Sequence, residues 1–154
     1  MLALLVAAAA ALHTTDVPQV FGNRIDRVAQ RSGLRVLLPS TLRTEFKRLY
    51  PESSSSNSAY SLELGAARNC HGATACFVAA FFGQEGGSAG PGKRVTLARG
   101  RVGRYTPSAC GASCSAPQIA WNERGAVYTI QAKGVGGRRA LVRLANSAIR
   151  HGAR

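Results

Sequence analysis

Acidic side chains are scarce in this chain. Seven Asp and Glu stand against twenty Lys and Arg, a formal net charge of +13 over 154 residues. The seven are Asp16, Asp26, Glu45, Glu52, Glu63, Glu85 and Glu123, and each has an ordinary local setting: a cap, an exposed strand position, a loop or a turn. No pair of carboxylates for general acid–base work is legible. Histidine is scarcer still. His13 lies in an apolar leader-like segment, His151 lies at the C-terminus, and His71 adjoins Cys70. Adjacent side chains of an extended chain point to opposite faces, so His71 is badly placed to take a proton from Cys70 and reads as a surface turn residue. There is no G-x-S-x-G, no H-E-x-x-H and no P-loop. The GVGG run at 134–137 lacks dinucleotide-binding spacing and reads as a flexible connector rather than a phosphate cradle. No catalytic residue, metal ligand or cofactor is expected, and the balance leans against an enzyme.

Long apolar runs are also missing. The opening MLALLVAAAAAL spans twelve residues, short of the roughly 20 that a membrane-spanning helix needs. It reads as the apolar region of a secretory signal peptide, with Ala9 and Ala11 as an A-x-A cleavage signal and no basic n-region. No cysteine follows it, so a lipid anchor is not indicated. The expected organisation is a signal-peptide-like segment over 1–13 and one domain over 14–154, secreted, periplasmic or in the cell envelope. With 45% hydrophobic residues, Trp121, four Tyr and five Phe, the chain has enough apolar material for a single core, and general disorder is excluded.

The remaining chain reads as α+β. VFGNRIDRVAQRSGL predicts a helix with Asn23 as cap, Asp26 in its first turn and Gly33 at C′. RVLLPS reads as a strand ended by Pro39, TLRTEFKRLY as a short helix and PESSSSNS (51–58) as a surface loop. AYSLELG alternates with period two, while CFVAAFF is a continuous apolar run suited to a central strand covered on both sides. RVTLARGRVGRY reads as one strand kinked at Gly100 or Gly103. PQIAWNERGAVYTIQAK predicts a hairpin with Ile119 and Trp121 on one face, Tyr128 and Ile130 on another, and NERG as the turn. RRALVRLANSAIR is amphipathic: Leu141, Leu144, Ala145 and Ala148 form one stripe, Arg139, Arg143, Asn146 and Arg150 the other. Strands followed by a terminal helix predict a mainly antiparallel sheet with that helix packed across it.

The four cysteines pose a choice between metal site, nucleophile and staple. Their C-x5-C and C-x3-C spacings are not the usual zinc knuckles, and an even count in an exported chain favours disulfides. Four cysteines allow three connectivities, and sequence alone does not choose among them. The turn-forming links HGATA and GAS favour the local pairs Cys70–Cys76 and Cys110–Cys114, each a staple of about 2 kcal/mol by loop-closure entropy.

Trp121, Tyr128 and Ile130 (W-x6-Y-x-I), followed by Leu141, Leu144 and Ala145–Ile149 (L-x2-L-A-N-S-A-I), carry a resemblance. This half resembles the extracytoplasmic C-terminal domain, of unknown function, of some bacterial anti-sigma-factor-like proteins. It is similar too to small exported proteins that combine C-x5-C, C-G-A-S-C and the same ending. The likeness covers roughly residues 59 to 151. It implies an antiparallel sheet with a C-terminal helix and a sensing or binding role outside the cytoplasm, and it supplies no catalytic residue.

Three functions compete. The first is a non-catalytic binding or sensing module whose arginine-rich surface, with Arg139, Arg143 and Arg150 as the anion-binding face, meets an envelope polymer, an anionic lipid or a protein. Nucleic acid is disfavoured, because no binding motif and no interleaved aromatics accompany the charge. The second is a hydrolase whose site only the fold assembles, for instance a cleft uniting Glu63, Tyr128 and an arginine. The third is a structural or inhibitory protein that presents the CGASC loop.

Overall fold

The computed structural model describes residues 10–153. Most of the signal-like segment therefore lies outside the described residues, while His13, assigned to that segment above, opens the first strand. β1 (His13–Asp16) leads directly into α1 (Val17–Phe21) and α2 (Arg24–Ser32). Asp16 caps α1 by accepting from Gln19 N–H at 2.9 Å. Asn23 precedes α2 as expected, but its side chain makes no cap bond; its Oδ1 accepts from Arg27 instead. Gly33 ends α2 in the left-handed conformation, φ 68°, which glycine adopts without steric cost.

The stretch expected to be a strand, RVLLPS, is irregular. Val36, Leu37 and Leu38 are all buried, yet their only ladder contact is an isolated bridge from Leu37 to Ala153. They form a lid on the core rather than a member of the sheet. TLRTEFKRLY is not a helix. Its first part is β2 (Thr41–Thr44), paired antiparallel with β1. The Thr44 hydroxyl accepts from Phe46 N–H at 3.1 Å, a local bond that competes with helix formation and leaves Phe46 exposed. Of PESSSSNS, expected to be a loop, only residues 56–58 turn; residues 51–55 are strand. β3 (Tyr50–Ser55) is an edge strand laddered against β4 (Ala59–Gly65). Ladder bonds come from the backbone, so a serine run can pair once a neighbouring strand offers an edge.

β5 (Phe77–Glu85) is interior and buried on both faces from Val78 to Phe81, as its apolar run predicts. RVTLARGRVGRY forms a hairpin, not one kinked strand: β6 (Lys93–Thr96) and β7 (Val102–Thr106) are joined by a short 3-10 turn at Ala98–Gly100. Two-residue strands β8 (Ala109–Cys110) and β9 (Cys114–Ser115) pair with each other. β10 (Gln118–Glu123) and β11 (Ala126–Ala132) form the predicted hairpin, turning at Arg124 and Gly125, both at positive φ. Its register pairs Ile119 with Ile130 and Trp121 with Tyr128, so all four side chains share one face rather than two. The Trp121 and Tyr128 rings stack with centroids 5.9 Å apart. α3 (Gly137–His151) closes the chain.

The seven-stranded sheet is antiparallel throughout, in the order β3-β4-β5-β11-β10-β7-β6. β11 enters last and pairs on both sides, joining the meander β3–β5 to the group β6, β7 and β10. The helices pack on one face. Val17, Phe21, Ile25 and Val28 meet Leu62, Leu64 and Phe81, while Leu141, Ala145, Ala148 and Ile149 cover the Ile119–Trp121 side. Phe21 and Phe81 meet edge to face at 6.0 Å. C-terminal helix, antiparallel sheet and two disulfides are thus all present.

Gly83 holds the centre of this core open. It lies between Tyr60 and Tyr128 in the ladder, and a Cβ there would stand 2.3 Å from the Tyr60 ring. The ring can lie over β5 only because glycine has no side chain. Its hydroxyl then accepts from Leu37 N–H at 3.2 Å and anchors the irregular lid. Gly83→Ala is expected to cost about 1–3 kcal/mol in urea unfolding, and less in a Tyr60→Ala background where the clashing ring is gone. Equal losses in both backgrounds would disprove the contact.

Burial pushes the Tyr60 phenol well above its usual range, and burial likewise raises Tyr128. A raised pKa means that the native state holds the proton more tightly, so this stability is intact below about pH 10 and drains away as pH climbs further. Urea midpoints measured from about pH 8 to about pH 11 should fall across the upper part of that window. The fall should be shallower in Tyr60→Phe, which at neutral pH loses about 1–3 kcal/mol by leaving Leu37 N–H unpaired.

Candidate functional site

Among the described residues every helix lies on one side, and the other face of the sheet has no helix over it. Its outward side chains include Ser61 and Glu63 on β4, Phe82 and Gln84 on β5, Thr129 and Gln131 on β11 and Gln118 on β10. A groove of about 580 Å³ runs across one end of this face, with Phe77, Phe82, Glu63 and Gln131 among its lining residues. Both disulfide loops rise beside it. Cys70–Cys76 closes the loop that contributes Gly72 and Thr74, and Cys110–Cys114 closes the β8–β9 hairpin. Gly134–Gly137, read above as a connector, lines the end of the groove at the start of α3. Lys133 does not face the groove unpaired; its Nζ donates to Thr74 O at 2.9 Å and ties β11 to the first disulfide loop.

The sequence reading missed a pair of acids. Glu52 and Glu63 are direct cross-strand partners on β3 and β4. They meet because residues 51–55 form an edge strand rather than the loop expected of 51–58. His71, at φ 48° and well exposed, donates its backbone N–H to Glu52 Oε2 at 3.1 Å, and its Nδ1 lies 3.3 Å from the same oxygen. Ser61 donates to Glu63 Oε1 at 2.9 Å. Like charges directly opposite are unfavourable, and a second such pair, Arg94 opposite Arg104, stands at the other edge on β6 and β7. The face thus carries acid at one margin and base at the other. The cleft of Glu63, Tyr128 and an arginine does not form: Glu63 is on the uncovered face, whereas Tyr128 is buried against Trp121 on the helix side.

Arg139, Arg143 and Arg150 lie exposed along the outer side of α3. The structure extends this line. Arg99 donates to the Arg150 carbonyl oxygen at 3.1 Å, and Arg43 shares a shallow depression with Arg143. Asn146, within the same stripe, accepts from Ala98 N–H at 2.6 Å and so fastens α3 to the β6–β7 turn. None of the five arginines has a carboxylate partner among the described residues.

Among the described residues the one buried carboxylate is Glu123, expected from the sequence in a turn. Its oxygens lie 3.3 Å from Arg101 and 3.9 Å from Arg35, and Trp121 Nε1 donates to it at 3.4 Å. Removing the acid from such a cluster would leave two guanidinium groups facing each other without their counter-charge. This is a structural clasp on the covered side of the sheet and faces none of the depressions described here.

No family model, curated protein or solved structure matches this chain. Among the described residues no helix is long and apolar enough to cross a membrane.

The non-reduced protein should show no free thiol, and peptide mapping should recover Cys70 linked to Cys76 and Cys110 linked to Cys114. Because Cys110 and Cys114 are exposed while Cys70 is buried, mild reductant should open the CGASC bridge first. Alkylation followed by mass spectrometry reads the order, and simultaneous opening would contradict the difference in access.

Proposed function

We propose that this protein is a small exported binding module that holds an anionic partner on the arginine-rich outer side of α3. The observation that carries the reading is the unpaired line Arg139, Arg143 and Arg150, lengthened by Arg99 and Arg43, in a chain of net charge +13. Glu123 takes up Arg35 and Arg101 and leaves this surface un-neutralised. Guanidinium groups suit phosphate and carboxylate oxygens, which they meet in a two-pronged geometry. Two disulfides suit an oxidising compartment, the secreted, periplasmic or envelope setting that the apolar opening suggests. A sensing role is what the resemblance to the extracytoplasmic domain would add. The stripe belongs to a helix already packed on the sheet's core rather than to a folding-on-binding segment.

Replacing Arg139, Arg143 and Arg150 together with Gln should leave stability almost unchanged, since glutamine is a comparable helix former. Binding to phosphatidylglycerol vesicles should weaken by roughly a hundredfold at about 1 kcal/mol per arginine. Retention on immobilised polyphosphate should drop in parallel, and wild-type binding should fade as salt shortens the screening length from about 10 Å at 0.1 M to about 3 Å at 1 M. Wild-type-like binding by the triple variant at low salt would reduce the stripe to a solvated face.

A further inference from the structure

The uncovered face of the sheet has a chemistry of its own, unlike that of α3. Three shallow depressions run together across it, sharing Glu63, Ser61, Phe82 and Gln131. The depression over β4, β5, β10 and β11 has a volume of about 590 Å³, and no charged side chain lines it. In a chain with twenty Lys and Arg that vacancy of charge is informative. The charged pairs of this face, Glu52 with Glu63 and Arg94 with Arg104, stand at its margins.

What lines this depression is neutral and able both to donate and to accept. Gln84, Gln118 and Gln131 stand with the hydroxyls of Ser54, Ser61 and Thr129 around the half-buried Phe82 ring. Gln131 Nε2 donates to Gln118 Oε1 at 2.8 Å, so the two amides orient each other. Gln131 Oε1 and Gln118 Nε2 have no partner among the described residues, an acceptor beside a donor. Ser61 spends its proton on Glu63 and keeps its lone pairs to accept. A charged ligand would find no counter-charge over this patch, and an apolar one would bury amides unsatisfied at a cost. A sugar ring has the complementary inventory: neutral hydroxyls that both donate and accept, and a C–H face that lies against an aromatic ring.

We propose that this face binds a neutral glycan chain, with Phe82 as the platform and the Gln118–Gln131 pair as the clamp on a sugar hydroxyl. Phe82 and Gln131 also line the groove between the two disulfide loops, so the next sugar units run into it between walls that the disulfides hold in place. The site lies across the sheet from α3 and does not depend on the arginine stripe.

Titration of the isotope-labelled full chain with tetra-N-acetylchitotetraose, cellotetraose and maltotetraose, followed by amide NMR, tests the assignment. At least one should give saturable shifts confined to β3, β4, β5, β10, β11, the disulfide loops and Gly134–Gly137. Those shifts should persist from about 0.1 M to about 1 M salt, because no charge is involved. Phe82→Ala and Gln131→Ala should each weaken binding by about tenfold, while the Arg139, Arg143 and Arg150 triple Gln variant should bind as wild type. If Phe82→Ala fails to give a dispersed spectrum, Thr129→Ala and Gln131→Ala serve as the loss-of-binding variants. Absence of saturable shifts with all three probes at about 10 mM, well above a millimolar Kd, overturns the proposal. So do shifts that centre on the arginine side of α3, at Arg139, Arg143 and Arg150, or that vanish in salt.

Discussion

The close approach of the Tyr60 ring to the backbone of β5 is the contact on which the architecture turns. Gly83 makes it possible, since a Cβ at that position would occupy the ring's space. Once seated, the phenol oxygen holds Leu37 N–H, and Leu37 belongs to the irregular lid between α2 and β2. That lid reaches further: Ser40 N–H donates to Ser147 Oγ on α3, and Val17 N–H donates to the Ser40 carbonyl oxygen. One aromatic residue therefore ties the lid to the sheet, and the lid ties α1 to α3 over a single core. Because all these bonds gather on one side, the helices have one side to cover and the other face of the sheet remains open.

Charge follows the same division. On the covered side Glu123 is buried, where a carboxylate is tolerable only because Arg35, Arg101 and the Trp121 indole meet it. The outer side of α3, and Arg99 in the nearby β6–β7 turn, carry cations that no acid meets among the described residues. The open face concentrates its charge in two like-sign pairs at opposite margins and leaves its middle neutral. Opposed like charges cost free energy, so their retention at both margins gives the face a polarity along the direction in which the strands are stacked. Two chemically distinct surfaces, one cationic and one neutral and hydroxyl-rich, thus lie on opposite sides of one small domain.

The disulfides stabilise these surfaces locally rather than the core globally. Each closes a short loop, and β8 and β9 pair only with one another. Without its bridge, an exposed five-residue turn such as CGASC would have only its two-residue ladder to hold a shape. The bridges therefore define the groove walls, whereas the buried aromatic and aliphatic side chains define the fold.

Where local signals were strong, the sequence sufficed. Period-two alternation marked β4, a turn between apolar runs marked the β10–β11 hairpin, and the apolar stripe of Leu141, Ala145 and Ala148 marked α3. The short C-x5-C and C-x3-C links made local disulfides the economical choice among three connectivities. Where the deciding partner was distant, local signals misled. Residues 51–55 of the serine run are strand because β4 lies beside them, and Val36–Leu38 is a lid because Tyr60 and the core hold it away from the sheet. The same limit hid the site. Glu52 and Glu63 are eleven positions apart and meet only through the β3–β4 register, and Gln118 reaches Gln131 only through that of β10 and β11. Composition and periodicity determined an α+β domain with a basic amphipathic helix. Which side chains share a face, and hence what the open face can bind, was decided by strand register, a relation between distant residues that no local pattern encodes.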